Sequence, residues 1–171
     1  WQPGNKILIL TGGSDALNLN LTLPTQLDRL LPSNIQINWV KGPFSNKPNL
    51  PMRQRLIWHV HDSPQYLDDL IVDSNYVMTI YGVSFFEVLQ YGVPCVLFSN
   101  TSRNAHNDFQ YLYNAEVSLV RTNTKSAIKS LIELVSNDKL ATKLSKNALC
   151  KMSSPGTQNL TKDIYSILDL N

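Results

Sequence analysis

Short apolar runs recur along the chain, separated by longer segments with helical spacing of their apolar residues. Lys6-Ile7-Leu8-Ile9-Leu10-Thr11, Ile35 to Val40, Leu56 to Val60, Tyr76 to Ile80, Cys95 to Phe98 and Val117 to Val120 each have the length and the branched or aromatic content of buried strands. Between them the spacing predicts helices. The first runs from Ala16 to Leu31 with Leu17, Leu21, Leu27, Leu30 and Leu31 inward, and Pro24 inside it implies a kink or a late start. After the third strand Ser63 is placed to cap a helix and Pro64 to open it, with Tyr66, Leu67, Leu70 and Ile71 along its length. A helix from Gly82-Val83-Ser84 to Tyr91 carries Phe85, Phe86, Leu89 and Tyr91 as expected core and stops at Gly92-Val93-Pro94. Further helices are expected from about Ala105 to Asn114, over Lys125–Val135, over Asp138–Met152 and over Thr157–Leu168; Ser153-Ser154-Pro155-Gly156 breaks the last two. The Asn/Lys/Pro-rich run from Ser45 to Met52 reads as a surface loop. Strands alternating with helices, without hairpin signals, predict an α/β domain with a parallel sheet of about six strands covered on both faces.

Ligands of such sheets bind outside the carboxyl ends of the strands. The loops there are Thr11–Asp15, Lys41–Phe44, His61–Pro64, Tyr81–Ser84 and Ser99–Asn107, and they collect the glycines and polar residues. A strand that empties into Gly12-Gly13-Ser14 has the form of a phosphate loop, because glycine lets the backbone approach a ligand closely. The helix opening at Gly82-Val83-Ser84 starts with unpaired N–H groups, which attract an anion. Glu87, one turn in, offers a carboxylate to vicinal hydroxyls. A phosphate site beside a hydroxyl acceptor suggests a nucleotide or nucleotide sugar. Ser84 and Glu87 also form S-x-x-E, which serves equally as a helix capping box. The dinucleotide G-x-G-x-x-G is absent and Lys41-Gly42, not an acid, ends the second strand, which speaks against NAD; no GK[ST] motif marks a P-loop nucleotidase. His59 and His61 alternate around Val60 and share a face, but Asp62 alone does not complete a metal site.

Composition narrows the classes further. With 171 residues, 43% hydrophobic and 16% charged, the chain suits one globular domain. A net charge of +2 argues for neither nucleic acid nor an anionic membrane, and no apolar run approaches a bilayer span. Cys95 and Cys150 lack any C-x-x-C partner, which favours reduced thiols and a cytoplasmic location. The start at Trp1-Gln2-Pro3-Gly4, with neither Met nor leader, suggests a domain taken from a longer protein at a Pro/Gly linker.

Taken in order, these pieces resemble the C-terminal, donor-binding domain of GT-B-type nucleotide-sugar enzymes, the group that includes MurG, the SpsG-type spore-coat polysaccharide proteins and the PseG-type UDP-sugar hydrolases. The matching pieces are Gly12-Gly13-Ser14-Asp15, Gly42-Pro43-Phe44, Val60-His61, Gly82-Val83-Ser84-Phe85-Phe86-Glu87, Gly92-Val93-Pro94 and Asn107-Asp108, covering about two thirds of the chain. The resemblance implies a Rossmann-like three-layer sandwich in which residues 1–171 form one domain and an N-terminal acceptor domain is missing. It implies a UDP-sugar as ligand, with Gly12, Gly13, Ser14, Gly82, Val83 and Ser84 around the diphosphate. Glu87 would hold the ribose, His61 and Asp62 would border the base, and Asn107 and Asp108 would stand in the place of an Asn-Gln pair. Neither cofactor nor protein-bound metal is implied, and no catalytic residue falls in this domain. The parent would be a glycosyltransferase of polysaccharide or cell-surface glycan synthesis; a UDP-sugar hydrolase lobe and a non-catalytic binding module are the alternatives. Two residues depart from the family pattern: Tyr81 stands where many relatives have a small residue, and Asp108 where Gln is usual.

Overall fold

The computed structural model describes residues 1–98, 106–152 and 156–168, and of residues 106–108 and 156–159 the backbone alone. The chain runs β1 (Lys6–Leu10), α1 (Leu19–Leu30), β2 (Gln36–Lys41), β3 (Ile57–Asp62), α2 (Leu67–Val72), β4 (Tyr76–Ile80), α3 (Val83–Gln90), β5 (Cys95–Phe98), α4 (His106–Ala115), β6 (Leu119–Arg121), α5 (Thr124–Ser136), α6 (Asp138–Met152) and α7 (Gly156–Leu168). The strands form one parallel sheet in the order β3-β2-β1-β4-β5-β6, the doubly wound Rossmann order.

Both faces of the sheet are buried, which is why its central strands read as unbroken apolar runs. Ile7, Ile9, Ile37, Trp39 and Met78 point to one face, where Leu23 and Leu27 of α1 and Ile128 and Leu131 of α5 cover them. Leu8, Leu10, Val77, Cys95 and Leu97 point to the other, under Ile71 of α2, Phe85 and Val88 of α3 and Phe109 of α4. Each of these side chains contributes about 1.5–3 kcal/mol by leaving water. The expected core of α3 is half right: Phe85 and Leu89 are buried, whereas Phe86 and Tyr91 are about two-fifths exposed (41% and 39%).

The first helix departs from its sequence expectation at its start and in its phase. It begins at Leu19, because the Asp15 carboxylate takes the first two helical N–H groups, Leu19 at 3.0 Å and Asn20 at 2.8 Å. Its buried row is therefore Leu19, Leu23 and Leu27, continued by Leu31, while Leu21 and Leu30 lie exposed. Pro24 is accommodated without ending the helix. Its missing N–H leaves the Asn20 carbonyl open, and the N–H of Asn49 fills that place at 2.8 Å. The loop that leads from β2 to β3 is thereby tied to α1.

That crossover contains no helix, although it joins adjacent parallel strands. It is held by Asp28, a buried carboxylate that accepts from Arg55 N, Leu56 N and Trp58 Nε1, each at 3.1 Å. Because Leu56 gives its N–H to Asp28, the β3 ladder starts one residue later than its apolar run suggests. It continues through His61 and Asp62, opposite Val40 and Lys41. The sixth strand likewise pairs over Leu119–Arg121 and not from Val117. Ser63 does not cap α2: its φ is 48°, its N–H donates to the Lys41 carbonyl at 2.9 Å, and the helix begins only at Leu67.

Candidate functional site

The strand order reverses between β1 and β4, so the loop after β1 leads to a helix on one face and the loop after β4 to a helix on the other. The gap between diverging loops at such a switch point is where doubly wound sheets hold ligands. Here it is a cleft with two adjoining parts. One, of about 180 Å³, lies among Leu10, Gly12, Gly13, Val40, Gly42, Pro43, Pro64 and Leu67. The other, of about 360 Å³, runs along Thr79 to Ser84. Leu10, Gly12, Gly13 and Ser84 border both.

Glycines build the wall on the β1 side. Gly12 has φ 82°, a conformation that a side chain would strain. A Cβ on Gly42 would stand 2.5 Å from the carbonyl oxygens of Gly12 and Gly13, so only glycine lets the β2 loop lie against the β1 loop. The N–H of Phe44 then donates to the Gly13 carbonyl at 2.9 Å and locks the two together. Gly13 and Gly82 differ from these: a Cβ on either would meet nothing within 4 Å. Both face open space.

The wall on the β4 side is the start of α3. Gly82 is its N-cap in extended conformation, and among the described residues no side chain caps it. Phe85 N–H returns to the Gly82 carbonyl at 3.1 Å, whereas no described group accepts from the N–H groups of Val83 and Ser84. The S-x-x-E capping box is therefore not formed, since Ser84 is the second helical residue and not the cap. Ser84 lines the cleft instead. Glu87 is half-buried one turn further on and is not part of the cleft wall.

The start of α1, across the cleft, is closed. Asp15 is 4% exposed and spends its carboxylate on that helix. Burial pushes its pKa up, against the pull of the two backbone N–H groups. Ser14 is exposed and stands outside the cleft wall. Tyr81 borders the wider part of the cleft without filling it. Its ring packs among Phe109, Phe86 and Phe85, with centroids 5.2, 6.1 and 6.5 Å away, on the side of α3 and α4.

His61 and Asp62 end the edge strand β3, beyond the walls of the cleft. His61 Nε2 lies 2.9 Å from Asn38 Oδ1, and burial, with His59 nearby, lowers its pKa. Asp62 pairs with Lys41 at 2.8 Å, and that hydrogen bond holds its carboxyl below the usual range. Among the described residues no group of three or more His, Cys, Asp or Glu side chains assembles as metal ligands. Cys95 and Cys150 are not bridged, and burial pushes the Cys95 thiol up to about 12. The backbone of Asn107 and Asp108 opens α4, while their side chains and the loop from Ser99 lie outside the described residues. Among wall residues that composition and spacing did not single out, Thr11 stands out: it is 2% exposed and its hydroxyl has no partner among the described residues. Pro64 and Leu67 line the cleft because α2 starts late, which no cap signal announced.

No protein-family model and no curated protein sequence matches the chain. Solved structures do match it. MurG of Acinetobacter baumannii covers 96% of this chain with 50% of its own, at a TM-score of 0.73 and 19% identity. The spinosyn forosaminyltransferase SpnP covers 99% with 45% of its own, at 0.66 and 14%. SsfS6, a glycosyltransferase of Streptomyces sp. SF2575, covers 90% with 37%, at 0.56 and 14%. These neighbours are GT-B glycosyltransferases. At such identities the likeness defines the fold, a Rossmann-like α/β lobe of the kind found in GT-B glycosyltransferases. The chain spans half the length, or less, of each of these three structures. Among the described residues no helix is long and apolar enough to cross a membrane.

Proposed function

We propose that this chain is the donor-binding lobe of a glycosyltransferase and that its cleft holds a nucleotide sugar, specifically a UDP-sugar. The observation that carries the reading is the uncapped start of α3 facing the Gly12-Gly13 backbone across a cleft at the switch point. Main-chain N–H groups of Val83 and Ser84 would meet the diphosphate, and the open space beyond Gly13 and Gly82 leaves room for it. Gly12 and Ser14 would complete the β1 side, Glu87 would accept from the ribose, His61 and Asp62 would edge the base, and Asn107 with Asp108 would face the sugar.

The chemistry follows from charge. As the bond from the anomeric carbon to the diphosphate breaks, negative charge grows on the leaving UDP, and dipoles already aimed at it lower that barrier. The acceptor and its base come from a second, N-terminal lobe in this reading, so the chain alone binds donor and turns over little. A place in polysaccharide or cell-surface glycan synthesis, in the cytoplasm, completes the proposal.

Calorimetric titration with UDP, CMP, GDP and ADP tests it. UDP is expected to bind with millimolar or better affinity and to raise the melting temperature; silence from all four nucleotides at millimolar concentration would sink the reading. Glu87→Gln separates ribose binding from structure, because no capping box depends on Glu87. The variant is expected to weaken UDP several-fold, on the order of 1 kcal/mol, at unchanged melting temperature.

A further inference from the structure

We propose that the edge strand β3 is an interaction surface for a second copy of this chain, which adds its own β3 in antiparallel register centred on Val60. β3 and β6 are the two ends of the sheet. β6 pairs over three residues, whereas β3 runs for six and none of them is buried. Its backbone shows which groups are free. Ile57 N–H donates to the Ile35 carbonyl at 3.3 Å and Ser63 N–H to the Lys41 carbonyl at 2.9 Å. The parallel register with β2 is unbroken between them, so Ile57, His59, His61 and Ser63 turn their main-chain groups inward. Trp58, Val60 and Asp62 turn theirs outward, and no described group is bonded to the main-chain N–H or C=O of any of the three. Edge strands that stay single carry devices against pairing, such as a proline, a bulge or an unpaired charge. β3 contains no proline, its register has no bulge, and its one charge, Asp62, is neutralised by Lys41 at 2.8 Å.

The free groups select the partner. They belong to Trp58, Val60 and Asp62, a row symmetric about Val60, and outward residues of an antiparallel pair exchange both of their bonds. A two-fold axis through Val60 sets Val60 against Val60 of the second copy and Trp58 against Asp62, so every outward N–H and C=O of both strands is used. The side chains agree with that register. His59-Val60-His61 reads the same in both directions, so His59 lies opposite His61 on one face and Val60 opposite Val60 on the other. Val60 is 38% exposed and thus has apolar surface to lose there. Asp62 lies opposite Trp58, so no two carboxylates or two cations of β3 meet. A foreign strand would satisfy the main chain alone, whereas a second copy satisfies main chain and side chains together and closes as a dimer. β3 supplies no wall residue of the cleft at the switch point, and the pairing is independent of whether that cleft holds a nucleotide.

Sedimentation equilibrium and amide hydrogen exchange on the full chain test this together. A reversible dimer is expected, with a dissociation constant on the order of 10–100 µM. In concentrated samples the N–H groups of Trp58, Val60 and Asp62 are expected to exchange several-fold more slowly than in dilute ones, whereas His59 and His61, already bonded to β2, are protected in both. Val60→Pro removes one outward N–H that the β2 ladder does not use, and edge strands accept proline at such a place. This variant is expected to fold and to stay monomeric where the unsubstituted chain is a dimer. Val60→Lys leaves the main chain intact and sets two ammonium groups opposite each other. It is expected to weaken the dimer at least about tenfold, and less at high salt, and it decides the matter if the proline variant does not fold. A chain that stays monomeric at millimolar concentration leaves this edge to a different strand and overturns the proposal. So does a dimer in which Trp58, Val60 and Asp62 exchange as in the monomer, an assembly that grows beyond the dimer, or a dimer of unchanged strength in Val60→Lys.

Discussion

Two helices begin at the same edge of the sheet, on either side of the switch point, and they begin in opposite ways. The chain enters α1 through Gly12-Gly13-Ser14-Asp15, turns through left-handed Asp15 and Asn18, and closes the helix start with the Asp15 carboxylate. It enters α3 through an extended Gly82, and no described group accepts from the first N–H groups of that helix. Both motifs have the glycines of an anion site, yet only the second keeps free the groups that an anion needs. The first has become a wall: Gly12 and Gly13 are held by Gly42 and Phe44, and the helix behind them carries its own negative charge. A glycine loop before a helix is thus a poor predictor of an anion site until the fate of the helix N–H groups is known.

The largest expected effect falls on the wall. Gly42→Ala drives a Cβ into the backbone of Gly12 and Gly13, where no rotamer change relieves it. A loss of about 2–3 kcal/mol is expected in denaturant unfolding. Stability within a few tenths of a kcal/mol of the unsubstituted chain would mean that the two loops are not packed as described. Next is the cap. Asp15→Ala frees the N–H groups of Leu19 and Asn20 and is expected to cost about 1–2 kcal/mol, the range for helix caps. If Asp15 is also what keeps α1 from acting as an anion site, sulfate should rescue part of that loss in thermal melts, and it should do much less for the unsubstituted chain. The smallest effect is in pH dependence. Burial raises the Asp28 pKa, but the hydrogen bonds from Trp58, Arg55 and Leu56 outweigh it and hold the carboxyl below its ordinary 3.8. Its stabilising contribution is therefore present above that value and is lost as the pH falls through the lower, folded value. Asp28→Asn is expected to be less stable than the unsubstituted chain at neutral pH, with the gap narrowing below about pH 3.8 in acid unfolding curves.

Much of the architecture is visible in the residues themselves. Six apolar runs are six strands, and α5, α6 and α7 fall within a residue or so of the spacing that announces them. What escaped lies where one carboxylate or one φ angle decides. Asp15 reads as the lead-in to a helix, and nothing in its neighbours reveals that its side chain reaches four and five residues ahead. Once it does, the phase of α1 is fixed and Leu21 and Leu30 turn to solvent. Leu56 reads as strand, but its N–H belongs to Asp28, 28 residues earlier. Ser63-Pro64 has the form of a helix start, yet Ser63 is left-handed and bonded back to Lys41. Local propensity does not see partners brought by the fold. The site shows the same division. The loops at the strand ends could be named in advance, and Gly12, Gly13, Gly82, Val83 and Ser84 do border one cleft or its mouth. The strand order that makes β1 and β4 neighbours is a tertiary fact, and with it comes the reason these loops meet.

The central claim is that the open start of α3 is the anion-accepting element. Gly82→Asp tests it most directly by giving α3 the closure that α1 already has. The backbone at Gly82 is extended and a Cβ there meets nothing within 4 Å, so the fold accommodates the change. Titration of both proteins with UDP is expected to show at least about a tenfold loss of affinity in the variant, with its melting temperature unchanged or slightly raised by the new cap. UDP binding of equal strength in the two proteins would contradict the account.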